Sequence, residues 1–136
     1  MSHPDGLPDL FIDRSLGRLQ VPALLRAAGL RLVTLAERYG IPGDETIEDV
    51  RWLRDVGERG EVAFKKDERI RYNPAEKAAV ITFAVRGFYL TRQDLPARVM
   101  ADRYLHNLDA ITAACAAPGP FLYAVNQRDI RRIDLT

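Results

Sequence analysis

Leu10-Phe11-Ile12-Asp13, followed by Arg14-Ser15-Leu16-Gly17, decides how this chain is read. A short unbroken apolar run bounded by turn-forming residues is the pattern of a strand buried on both faces. Such a strand delivers Asp13 to its carboxyl end. In open α/β sheets ligands sit just outside the carboxyl ends of the strands, where the strand order reverses. Asp13 is therefore the first candidate for chemistry, and any acid that reaches the same edge would join it.

Upstream, residues 1–8 are polar and carry Pro and Gly, which reads as a loose, flexible leader to a domain spanning 9–136. Downstream, Pro22 suits the first turn of a helix whose apolar face is Leu24, Leu25 and Ala28 and which Gly29 ends. Leu30 to Leu35 reads as a second strand, and Arg38 to Gly43 as a loop rich in breakers. Asp44 or Thr46 is placed to cap a helix carrying Ile47, Val50, Leu53 and Val56 at helical spacing. Val62-Ala63-Phe64 is a third strand running into Lys65-Lys66-Asp67. Asn73-Pro74-Ala75-Glu76 then reads as a capping box with Pro at the first helical position. Phe88-Tyr89-Leu90 and Phe121-Leu122-Tyr123-Ala124-Val125 are further strands. A long helical stretch lies between them, broken near Asn107. Ile130 to Leu135 would add an antiparallel edge strand at the C-terminus. Strands alternating with helices predict a single-domain, three-layer α/β sandwich with a mostly parallel central sheet. The doubly wound order 2-1-3-4-5 is preferred, and it sets strands one and three side by side.

The bulk composition narrows the function classes. A chain of 136 residues with 47% hydrophobic and 29% charged residues fits one globular domain. A formal net charge of +1 gives no overall pull toward nucleic acid or membrane, so local clusters must carry any such contact. Cys115 is the only cysteine, which excludes an internal disulfide and a cysteine-built zinc site. No signal peptide or apolar run of membrane-spanning length is visible, and a cytoplasmic location is expected.

Asp13 ends strand one and Asp67 closely follows strand three, so adjacent strands bring both acids to one edge. The intervening helix runs antiparallel to the strands, so its first turn, with Asp49, returns to that edge; Asp44, Glu45 and Glu48 are near it in sequence. Several carboxylates together repel unless a cation neutralises them. An all-oxygen set selects Mg²⁺ or Mn²⁺ over zinc, and metals held by carboxylates activate water for phosphodiester cleavage. Arg14, Lys65, Lys66, Arg69 and Arg71 flank these acids and suit a phosphate backbone. Tyr72 and Phe88 are candidates for stacking bases.

These residues resemble a known family. Phe11-Ile12-Asp13, Asp49, Gly60 and Val62-Ala63-Phe64-Lys65-Lys66-Asp67 are similar to the PIN-like domain, most of all to toxin-type members of the VapC group. In short members an acid opens a helix and another follows a strand about 18 residues later, commonly in a TrDkDF-type segment; Asp49 and Asp67 are 18 residues apart. The resemblance runs from Leu10 to Val125. It implies a Mg²⁺- or Mn²⁺-dependent endoribonuclease acting on RNA, paired with a cognate antitoxin and often a homodimer. Carried over by position, Asp13, Asp49 and Asp67 would be the catalytic, metal-binding acids. The chain departs from the pattern where Lys65 replaces the usual Thr and Arg69-Ile70 the second Asp-Phe pair. The fourth acid of the wider family lacks a clear counterpart, with Glu37, Asp44 and Glu76 as substitutes.

Plainer readings exist for each residue. Asp13 could be a turn cap. Asp49 could answer the helix macrodipole, and Asp67 could pair with the lysines before it. Glu76 fits a capping box and Cys115 an apolar core. His106 fits packing or surface better than general-base work, and the basic run could be a solvated loop. Two other function classes compete with the nuclease. A non-catalytic PIN-like binding module is one. The other is a receiver-like phospho-acceptor domain using Asp67 and Thr91; it would need an acid pair after strand one and a Lys after strand five. The chain has Asp13-Arg14 and Val125-Asn126 there.

Overall fold

The computed structural model describes residues 2–67, 69, 72–92 and 94–136. Its strands are β1 (Leu10–Ile12), β2 (Leu32–Thr34), β3 (Val62–Lys66), β4 (Arg86–Leu90), β5 (Phe121–Val125) and β6 (Ile130–Ile133). They form one sheet in the order β2-β1-β3-β4-β5-β6, with all pairs parallel except β5 with β6. The expected α/β sandwich, its strand order and its antiparallel C-terminal edge are all present.

Strand alternation sorts the core into two layers. Leu10 and Ile12 of β1, Val62 and Phe64 of β3, and Phe88 and Leu90 of β4 face one way. They pack on α1 (Gln20–Ala27), α5 (Ala97–His106) and α6 (Leu108–Ala114). Phe11, Ala63, Tyr89 and Leu122 face the other way, toward α2 (Leu35–Tyr39), α3 (Asp49–Arg59) and α4 (Pro74–Thr82). Trp52 of α3 is fully buried and stacks on Phe11 with ring centroids 5.0 Å apart. Such a pair adds about 1 kcal/mol beyond its buried area. Gly60 stops α3 in the left-handed conformation at φ 68°, where a side chain would be strained. Glu61 then leads straight into β3. This docking fixes the height of Asp49, the first residue of α3, above the sheet.

The apolar run Leu30 to Leu35 is not all strand: β2 ends at Thr34, whose hydroxyl accepts from Glu37 N at 3.0 Å while Glu37 Oε1 accepts from Thr34 N at 2.9 Å. This capping box starts α2, so Leu35 is buried from a helix rather than a strand. Neither Asp44 nor Thr46 caps α3; the cap position is Glu48, and Asp44 sits in a 3-10 turn (Gly43–Glu45). Residues 2–8 are tied down rather than loose. Leu7 lies in the core, and the buried His3 ring bonds Leu7 O at 2.8 Å and Arg31 N at 2.9 Å. Phe88 is fully buried and packs edge-on against Phe64 at 6.3 Å, so no base can stack on it.

Candidate active site

The carboxyl edge of β1 and β3 gathers the chemistry. Asp13 N continues the ladder by donating to Phe64 O at 3.0 Å, and Asp67 N does the same to Leu90 O at 2.8 Å. By alternation Asp13, Lys65 and Asp67 have the parity of Phe11 and Ala63, the face covered by α3 and α4. Asp13 is buried, and its Oδ2 accepts from Ser15 N at 3.1 Å, capping a 3-10 turn (Arg14–Leu16). Ser15 Oγ in turn accepts from Lys66 N at 2.9 Å, fastening this turn to the end of β3. The plain cap role and a place at the sheet edge thus coexist in Asp13.

Lys65 is the centre of the arrangement. The sequence placed it among cations gripping phosphate, but its side chain is only 8% exposed. Its Nζ donates to Glu76 Oε1 at 2.5 Å and Asp49 Oδ2 at 3.0 Å, and lies 3.7 Å from Asp67 Oδ2. The rings of Trp52 and Tyr89 flank it at 5.6 and 5.9 Å. Burial works against the ammonium's charge, yet Glu76 and Asp49 hold its pKa above the ordinary lysine value. Asp49 shows the converse: burial opposes its charge, but Lys65 keeps its carboxyl below the usual range. The second Asp49 oxygen accepts from Trp52 Nε1 at 2.9 Å.

Glu76 departs from its expected role. Asn73 Oδ1 does cap α4, accepting from Glu76 N at 3.1 Å, but the Glu76 carboxylate turns inward to Lys65 instead of closing the box. Burial pushes its pKa up to about 7 against the pull of Lys65. Its Oε2 is buried with no hydrogen-bond partner among the described residues. Glu76 is the inner acid that sequence reasoning undervalued. The available signal was helical phase: the third residue of α4 reaches the same sheet edge as the first residue of α3.

The other sequence candidates divide. Asp44 is held bidentately by Arg18, with Nε and Nη2 each 2.8 Å from a carboxylate oxygen; the Arg18 hydrogen bonds keep its pKa below the usual range. Asp44 borders the same hollow of about 320 Å³ as Asp13, Asp49, Lys65 and Arg14. Glu37 does not join this group: its carboxylate serves the α2 cap and pairs with Arg26 at 2.7 Å. Asp67 Oδ1 accepts from Arg69 N at 2.8 Å, which turns the chain after β3. Arg14 and Arg69 are exposed and Lys66 is half-buried, whereas Arg71 lies outside the described residues.

The donor set is all carboxylate oxygen, which suits a hard divalent cation. Among the described residues, however, no group of three or more His, Cys, Asp or Glu side chains converges so as to hold a metal ion. The Lys65 ammonium stands between Asp49, Asp67 and Glu76, while Asp13 and Asp49 open onto the shared hollow.

Residues 8–92 match the family described as "PIN like domain". A protein of Mycobacterium tuberculosis (strain ATCC 25618 / H37Rv), named "Putative ribonuclease VapC45", is 42% identical over 127 residues, covering 93% of this chain and 92% of that protein. No solved structure matches the chain significantly.

Proposed function

The chain belongs to the PIN-like domain family, and from that premise we propose that it is a divalent-metal-dependent endoribonuclease, the toxin of a toxin–antitoxin pair. The observation that carries the reading is the hollow at the carboxyl edge of the sheet, bordered by Asp13 and Asp49 with Arg14 beside them. Asp13, Asp49 and Asp67 would hold Mg²⁺ or Mn²⁺. The bound ion supplies a Lewis acid that lowers the pKa of water and offsets charge on the phosphodiester.

The remaining work falls to the protein. The Ser15 N–H fixes one Asp13 oxygen, and Trp52 and Lys65 fix both oxygens of Asp49, so these acids are oriented before substrate arrives. Arg14, Lys66 and Arg69 would bind the RNA backbone as phosphate contacts; Arg71 belongs to the same proposed set. RNA is the substrate, a cognate antitoxin the protein partner, a homodimer the working unit and the cytoplasm the compartment in this reading. No described helix is long and apolar enough to cross a membrane. The second reading, a non-catalytic PIN-like binder, draws its support from Lys65, which already neutralises part of the acidic cluster.

The test is cleavage of a mixed RNA pool by the purified chain with Mn²⁺, with EDTA, and by Asp13→Asn. Cutting that needs the metal and falls at least about a hundredfold in the folded variant supports the nuclease. RNA or antitoxin binding without cutting, indifferent to Asp13→Asn, would favour the binder.

A further inference from the structure

Lys65 makes contacts that resemble those of a bound cation rather than of a surface lysine. One nitrogen meets three carboxylates from three elements: Asp49 from α3, Glu76 from α4 and Asp67 just after β3. The stem is enclosed, with the head between two aromatic rings, so the ammonium is not free to swing out into solvent. Like charges a few ångströms apart repel strongly in so buried a setting. An ammonium and a divalent ion therefore cannot share this position.

We propose that Lys65 is a built-in cation that fills the inner cation position of the acidic cluster and limits this chain to one divalent ion, held on the open side by Asp13 and Asp49, so that Asp67, the third acid of the set named above, answers the ammonium rather than the ion. The inference rests on the nuclease reading above and deepens it. One further observation supports it: Glu76 Oε2 is buried without a hydrogen-bond partner among the described residues, an atom that an ion in place of the ammonium would use. Each carboxylate oxygen has two lone pairs, so the Asp49 oxygens can accept from Lys65 and Trp52 and still meet an ion from the hollow. Lys65 is thus a positioning residue: it sets the direction of Asp49 and the number of ions.

The experiment is equilibrium binding of Mn²⁺ to the full chain, followed by titration and by paramagnetic quenching of Trp52, the single tryptophan and a direct neighbour of Asp49. The wild type is expected to bind one ion. Lys65→Thr is expected to bind two, or to bind its ion at least tenfold more tightly, with a larger rise in melting temperature on adding metal. Lys65→Arg, which keeps the charge, should bind one. If metal-free Lys65→Thr does not fold, recovery of its native circular dichroism with Mn²⁺ supports the proposal, and failure to recover overturns it. Two ions on the wild type, or unchanged stoichiometry and affinity in a folded Lys65→Thr, would overturn it while leaving the metal-dependent reading standing. No Mn²⁺ on any of the three proteins at millimolar concentration would overturn both.

Discussion

Gly57→Ala sets two well-measured effects against each other. Gly57 lies inside α3, and an alanine in a helix interior is favoured over glycine by about 1 kcal/mol. Propensity alone predicts a stabilised protein. Packing predicts the reverse. A Cβ on Gly57 would stand 2.2 Å from Phe83 O, 3.0 Å from Phe83 Cβ and 3.1 Å from Phe83 C. The nearest atom is backbone at the end of α4, so no rotamer change relieves the contact. The helices must separate by about 1 Å, and overpacking of this kind costs about 1–3 kcal/mol. Because the obstacle is backbone, the upper end applies, and the net loss is about 2 kcal/mol after subtracting the propensity gain. For a domain of this size that lowers the melting temperature by about 6 °C. The consequence reaches the site, since α3 carries Asp49 and α4 carries Glu76 on either side of the Lys65 ammonium. Thermal and urea unfolding by circular dichroism measure the effect. An unchanged or raised midpoint would refute the reasoning and show that Phe83 does not set the spacing of these helices.

Tyr104→Phe removes the hydroxyl that donates to Phe88 O at 2.8 Å, next to Lys65 O at 3.3 Å. Leaving a buried carbonyl short of its donor should cost about 1–2 kcal/mol, read as a drop of a few degrees in melting temperature with the ring stack on Phe64 intact. Glu37→Gln should make stability less sensitive to acid. The Arg26 hydrogen bond, helped by Thr34, depresses the Glu37 carboxyl below its ordinary 4.5 in the folded state. Its contribution is therefore present above that value and lost as pH falls through the lower folded value. The pair is half-exposed, so the wild type should exceed the variant by less than about 1 kcal/mol at pH 7, and the gap should close toward pH 3. A gap that widens in acid would contradict the assignment.

What could be read from residues alone follows from how strongly each pattern is constrained. β1, residues 62–64 of β3 and β5 are largely buried apolar runs, and Leu10–Ile12 and Phe121–Val125 lie where those runs place them. The Leu30 to Leu35 run was harder. A strand and a helix both bury Leu35, and only the Thr34-to-Glu37 spacing marks the switch between them. At the site, adjacency of β1 and β3 was enough to bring Asp13 and Asp67 to one edge. Charge alone groups Lys65 with the phosphate contacts; strand parity does not. Residue 65 alternates with Phe64 and so points under α3 and α4, where a cation meets acids and not phosphate. Glu76 was hidden by its own good fit to a capping pattern: two partners compete for one carboxylate, and the buried ammonium is the stronger.

The two outer strands of the sheet bear on how this protein behaves when crowded. β2 contributes only three residues at one margin. At the other, β6 runs antiparallel and carries exposed Arg131 and Arg132 at its middle. A short strand gives an incoming chain few backbone groups to pair with, and a charged one repels a copy of itself. Fibril-like growth by adding strands is therefore disfavoured at both margins. Any lasting association must use the helical layers or the loops, where side chains rather than backbone groups select the partner.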